Sequence, residues 1–204
     1  NTLRSMQFVE NQLFHVYNRG NNRQDIFFQE DNYLFFLDKM RTHLLPVSDF
    51  LAYCLMPNHF HFMIRANELT VAQVAKNQRD LAVCAFSKGM RIALSSYAKA
   101  IQNQEGRSGS LFQQKTKSKQ VSSLWTWEDY SLECLRYILY NPVKAGLVTR
   151  PEDWPYSNFR ELAGIRKGSL CRIDMLEQEL CLSASQILEL VRQPMEPLET
   201  KKIW

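Results

Sequence analysis

Two apolar runs, residues 50–56 and 59–65, are separated only by Pro57 and Asn58. Proline and asparagine are turn formers, so this spacing predicts a β-hairpin. Few local patterns constrain a fold more, because a hairpin sets two neighbouring strands, their antiparallel sense and the residues that share a face. Side chains alternate along a strand, so His59 and His61 project from one side while Phe60 and Phe62 project from the other. One side of the hairpin is therefore apolar and suited to a core. The other presents two imidazoles side by side.

The remaining elements follow from similar signals. Residues 13–18 alternate as a short strand that stops in the polar turn Asn18-Arg19-Gly20-Asn21-Asn22. Asp31 can cap a helix to about Leu45, with Leu34, Phe35, Leu37 and Leu44 on its apolar face and Pro46 as its stop. Thr70 can cap a long helix to about Ile101, interrupted near Gly89, after which Gly106 to Gly109 form a flexible link. Residues 111–121 read as extended. Residues 129–140 read as a helix from Asp129, ended near Asn141 by Pro142. The order strand, helix, strand, strand, helix, strand, helix predicts an α+β ferredoxin-like sandwich with an antiparallel sheet, helices on one face and the other face open. Ser183-Ala-Ser-Gln186 is a capping box, and it predicts a C-terminal helical extension without chemistry of its own.

At 204 residues the chain can bury one sizeable core. No apolar run is long enough to span a bilayer and no basic-then-apolar leader is present, so a cytoplasmic protein with no membrane partner is expected. Five cysteines without a Cys-x-x-Cys pair argue against a disulfide framework and a zinc ribbon. Charge is more informative by position than in total. From Lys76 to Lys119 there are nine Lys or Arg against two acids, a net +7, which leaves −3 for the rest of a +4 chain. Arg107, Lys115, Lys117 and Lys119 sit among Ser, Gly and Gln, as expected of a surface that tracks phosphates. Arg19 and Arg23 join them as expected phosphate contacts, on a basic surface lying apart from the histidines. Tyr17 and Phe112 could stack on bases, although aromatics are more often core.

If residues 129–140 are helical, Tyr137 and Asn141 lie four apart and stack on one face. Two neutral imidazoles from His59 and His61 plus the Asn141 amide oxygen then make a three-ligand site for a divalent ion, and a tyrosine beside such an ion can attack phosphorus. Tyr130 and Tyr140 compete for that role on spacing alone. His15 and His43 are further candidates for a ligand or base.

His-Val-Tyr-Asn-Arg-Gly (15–20), Tyr-Cys-Leu-Met-Pro-Asn-His-Phe-His (53–61), Gly-Ser-Leu-Phe-Gln (109–113), Tyr-Ile-x-x-Asn-Pro-Val-Lys-Ala-Gly-Leu-Val (137–148) and Asp-Trp-Pro-Tyr-Ser (153–157) resemble, in this order, the REP-associated tyrosine transposases. These form the single-tyrosine branch of the HUH endonucleases, where U is a hydrophobic residue. The resemblance implies a catalytic domain over residues 1–150, with residues 151–204 as an extension packed on it or trailing from it. It implies Tyr137 as nucleophile, His59, His61 and Asn141 as ligands of Mg2+ or Mn2+, and a partner consisting of single-stranded DNA with hairpin-forming palindromic repeats. The chemistry implied is DNA transposition: cleavage and rejoining through a 5′-phosphotyrosine. Many relatives carry histidine two residues after the tyrosine. Here Leu139 removes that donor. Related enzymes include dimers that exchange the tyrosine helix, whereas this branch is expected to act as a monomer. Two rival readings stand beside it: a non-catalytic nucleic-acid module that stacks bases on Phe60 and Phe62, and a metal-dependent phosphohydrolase that uses water.

Overall fold

A computed structural model describes residues 6–76, 82–121 and 130–195. Along the chain run β1 (Leu13–Arg19), α1 (Glu30–His43), β2 (Asp49–Met56), β3 (His59–Arg65), the one-turn α2 (Glu68–Val71), a ribbon of β4 (Gln73–Lys76) and β5 (Ala82–Cys84), and α3 (Ala85–Gln104). Then come β6 (Lys117–Gln120), α4 (Ser131–Lys144), α5 (Phe159–Leu162), α6 (Ile173–Leu180) and α7 (Ala184–Arg192). The main sheet has the order β2-β3-β1-β6 and every neighbouring pair is antiparallel. With the β4-β5 ribbon as an insertion, this is the expected ferredoxin-like α+β sandwich.

Strand alternation divides the sheet into two chemically different faces. Phe14 and Val16 of β1, Phe50 and Leu55 of β2, and Phe60, Phe62 and Ile64 of β3 enter a core beneath α1 and α3, built around Phe36, Phe86, Met90 and Tyr97. Phe60 and Phe62 are fully buried there, with the Phe36 ring 5.2 Å from that of Phe60 and the Phe50 ring 5.3 Å from that of Phe62. Rings enclosed under helices cannot stack on bases, which removes the reading that used them as a nucleic-acid platform. Helices on one face hold for α1 and α3. The opposite face, expected to be open, receives α4 and the C-terminal helices over a second apolar cluster that includes Cys54, Met63, Leu135, Ile138, Phe159 and Ile187. A bulge where β2 passes Met63 directs both Leu51 and Ala52 into that cluster.

Several boundaries differ from expectation. On α1 the buried stripe is Tyr33, Phe36, Leu37 and Met40, while Leu34 is 53% exposed. Gln29 is the N-cap in place of Asp31, and Asn32 Oδ1 accepts from the backbone N–H groups of Phe28 and Gln29. Thr70 does not open a long helix. It closes a capping box with Asn67 and donates its hydroxyl to Val47 O, and the chain leaves α2 at Ala72 for the ribbon; residues 77–81 of the expected helix lie outside the described residues. Asp129 also lies outside them, and α4 begins at Ser131. Pro142 gives up one N–H donor to the ladder but does not end the helix. It continues to Lys144, and Gly146, at φ +70°, provides the left-handed termination.

The segment after α4 covers the outer edge of β2. Leu55 N donates to Tyr156 O, Trp154 Nε1 to Leu55 O, Asn158 Nδ2 to Leu51 O and Arg172 N to Phe50 O. An otherwise open strand edge is thereby satisfied. Asp-Trp-Pro-Tyr-Ser acts here as an edge cover. On α4, Arg136 donates to Leu190 O and Gln193 O, tying the end of α7 to the tyrosine helix. The part of the expected extension at 196–204 lies outside the described residues.

Gly89 lies within α3, which runs through it unbroken. A Cβ there would come 2.3 Å from His43 O and 3.1 Å from a Leu44 methyl. Alanine improves helix propensity by about 1 kcal/mol, whereas forcing backbone apart in a packed core costs about 1–3 kcal/mol. Gly89→Ala should therefore lower the urea midpoint; a raised midpoint would mean that α1 and α3 separate freely.

Candidate active site

The site is assembled by the register of three strands. Arg19 stands opposite His59 and Tyr17 opposite His61, while across the other ladder Lys117 faces Tyr17 and Lys119 faces His15. Directly opposed residues share a face. The non-core face therefore carries three parallel rows: His59 and His61; His15, Tyr17 and Arg19; Lys117 and Lys119.

His15 and His61 are completely buried, with His15 Nε2 2.8 Å from His61 Nδ1. Their rings stack at 5.0 Å, and Tyr17 stacks on His15 at 4.6 Å. The His59 ring lies 4.9 Å from that of His61, edge to face, and its Nδ1 hydrogen-bonds with Asn58 Oδ1. Burial, then the Arg19 cation, pushes His59 down to about 4, against an opposing hydrogen bond with Asn141. His61 is held well below the ordinary histidine range by burial, then by His15, His59 and Arg19. Both imidazoles are neutral at physiological pH, as metal ligation requires.

From α4, Tyr137, Asn141 and Lys144 occupy one helical stripe. The Tyr137 ring lies 5.4 Å from that of His61 and 6.1 Å from that of His15, and the Lys144 ammonium is 5.8 Å above it. Asn141 reaches His59, and its Nδ2 is buried with no hydrogen-bond partner among the described residues. Tyr137 is 3% exposed, so it borders the cluster from beneath α4. Leu139 points into the second apolar cluster.

A cavity of about 170 Å³ opens on the two histidines, lined also by Tyr17, Arg19, Lys115 and Lys117. Arg19 Nε is buried there with no hydrogen-bond partner among the described residues. Three of the six expected phosphate contacts thus line the histidine cavity, so the basic surface is not apart from the imidazoles. The other three do not line it. Lys119 shares the face but lies near Cys134 of α4, whose thiol feels its charge. Arg23 is exposed in the turn after β1, where its carbonyl accepts from Asn58 Nδ2, and Arg107 follows the end of α3. His43 ends α1, on the core side of the sheet.

Sequence reasoning gave His15 and Tyr17 too small a part. The signal was available: His15, Tyr17 and Arg19 recur at every second residue of an alternating strand. Missing was the register that sets them against the histidine pair. Tyr17 lines the cavity with its phenol, although burial raises its pKa and keeps it protonated.

Among the described residues no three of His, Cys, Asp and Glu are placed to hold a metal ion together, so an ion would rest on two imidazoles, the Asn141 amide and oxygens of substrate or water. The neutral imidazoles and the Asn141 side chain beside His59 fit that donor set. No helix among the described residues is long and apolar enough to cross a membrane.

No family model matches the chain, and no curated protein matches it. Among solved structures it is similar to a REP-associated tyrosine transposase bound to a REP hairpin, with a TM-score of 0.55 and 19% identity over 85% of this chain and 90% of that one. The two share a fold. The four-stranded antiparallel sheet with its helices is consistent with the HUH transposase architecture expected from the motifs.

Neutral burial of His59 and His61 has a thermodynamic signature. Once the pH falls below about 6.5 the unfolded chain takes up protons that the folded chain refuses, so stability drops towards acid, the His59 share being complete only below about 4. Each histidine contributes a slope of up to about 1.4 kcal/mol per pH unit. Urea midpoints at pH 7.5, 6.0 and 5.0 should fall progressively; a flat series would contradict neutral burial.

Proposed function

We propose that this chain is a single-tyrosine transposase of the REP-associated kind, which cleaves and rejoins single-stranded DNA at hairpin-forming repeats through a 5′-phosphotyrosine. The observation that carries this reading is the convergence of the His59-His61 pair, three cationic side chains and the Tyr137-Asn141 stripe of α4 on one face of the sheet. Support from outside the chain is the shared fold with a transposase bound to a REP hairpin.

Arg19, Lys115 and Lys117 would receive the scissile phosphate and balance its charge. The Tyr137 oxygen attacks phosphorus, losing its proton, and the bond from phosphorus to the 3′-oxygen breaks, with that oxygen gaining a proton. One phosphoester replaces another, so a second 3′-hydroxyl can reverse the step and join strands without ATP. His59, His61 and Asn141 would hold Mg2+ or Mn2+, which supplies Lewis-acid polarisation of the phosphate. Because Tyr137 is almost fully covered, attack requires a local adjustment of α4 or its side chain. Tyr137 stands beside the histidines of its own chain, so the site needs no tyrosine from a second copy.

Phenylalanine preserves the Tyr137 ring and its packing but deletes the attacking oxygen. Tyr137→Phe should fold and bind hairpin DNA yet form no denaturant-stable adduct with a labelled single strand, while Tyr17→Phe, Tyr130→Phe and Tyr140→Phe still form one. Mass spectrometry placing the nucleotide on Tyr17 would move the nucleophile to β1. Cleavage without an adduct in wild type would favour the water-dependent hydrolase.

Lys115 and Lys117 should carry affinity as well as position. Replacing both with alanine should weaken single-strand binding and reduce its logarithmic salt slope by up to about 0.7 per lost phosphate contact. An unchanged slope would mean that they contact no phosphate.

A further inference from the structure

Two buried imidazoles whose nitrogens lie 2.8 Å apart must share one proton between them. Two N–H groups would clash, and two lone pairs would repel. Either His61 Nδ1–H donates to His15 Nε2, or His15 Nε2–H donates to His61 Nδ1. The choice fixes the other nitrogen of His61. In the first arrangement Nε2, turned away from His15, carries a lone pair; in the second it carries a hydrogen.

The surroundings distinguish the two. His61 helps to line a cavity that also holds the Arg19 guanidinium, Lys115 and Lys117, all cationic donors. Arg19 is directly opposite His59, two residues from His61, and its positive charge acts on both imidazoles. A lone pair facing that field is favourable, whereas an N–H facing it is not.

We propose that His15 is a positioning residue, which accepts from His61 Nδ1–H and thereby holds His61 as the tautomer with a bare Nε2. His15 is itself held in place: it stacks on Tyr17 at 4.6 Å and on His61 at 5.0 Å, and it stands on the central strand of the β3-β1-β6 ladder. The ring cannot swing away without breaking a fully buried stack. Residues of this kind, one shell behind a ligand, set its tautomer and aim, and their loss typically weakens metal binding by about 10–100-fold. The purpose assigned to His15 rests on the reading of His59 and His61 as ion ligands. The tautomer itself does not.

Two measurements separate those layers. Long-range 1H–15N correlation on the metal-free wild type at neutral pH, with His61 assigned from a His61→Gln variant, should show Nδ1 protonated and Nε2 bare. The opposite tautomer would overturn the proposal whatever the protein binds. Mn2+ affinity, followed by electron paramagnetic resonance without DNA, should then fall at least about tenfold in His15→Phe, which keeps the stacked ring and lacks the acceptor. His15→Gln, whose amide oxygen reaches the place of Nε2, should recover most of that loss. Equal Mn2+ affinity in wild type and His15→Phe would also overturn the proposal. If His15→Phe fails to fold, the wild-type tautomer and the His15→Gln affinity decide it. Absence of Mn2+ binding by wild type with the Nδ1–H tautomer present would sink the ion reading and leave the tautomer assignment standing.

Discussion

The antiparallel register of β1 against β3 is the constraint on which the site depends. It sets Arg19 against His59 and Tyr17 against His61, and through β6 it brings Lys117 into the same group. A slip of one residue would turn the row of β1 to the other face and bring Phe14 and Val16 to the histidines. That slip is costly, because Phe14, Val16, Phe60 and Phe62 all belong to the core beneath α1 and α3. The apolar face thus enforces the geometry of the polar one.

Burying two imidazoles and an arginine nitrogen in the middle of a sheet works against folding. The structure concentrates this cost on one face and offsets it with two extended apolar clusters. Within the polar group each side chain constrains its neighbour: Asn58 and Asn141 engage His59, His15 engages His61, and Tyr17 supports His15. The result is a preorganised set of neutral nitrogens beside a cationic cavity, an electrostatic arrangement suited to an anionic group.

The C-terminal helices contribute to this site from a distance. They share an apolar cluster with α4, the 154–158 segment caps the β2 edge, and Arg136, adjacent to Tyr137, grips the end of α7. The tyrosine helix is therefore held from both sides, by the sheet below and by α7 beyond.

Much was legible in the chain itself. The Pro57-Asn58 turn, the alternation of β3 and the i,i+4 spacing of Tyr137 and Asn141 are local, with periods of 2 and 3.6 that covalent geometry imposes. They yielded the hairpin, the face shared by His59 and His61, and the stripe on α4. Local signals failed where a distant partner decided the outcome. Thr70 reads as a cap until Asn67 and Val47 claim it, Gly89 reads as a break until the close approach of His43 explains it, and Pro142 reads as a stop although α4 runs on to Lys144. Lys115, Lys117 and Lys119 are equivalent in sequence, yet α4 lies beside Lys119 while the other two line the cavity. The sequence by itself determined which side chains share a face. Only the tertiary structure decided which faces meet, because strand register and helix docking are set by burial of residues far apart in the chain.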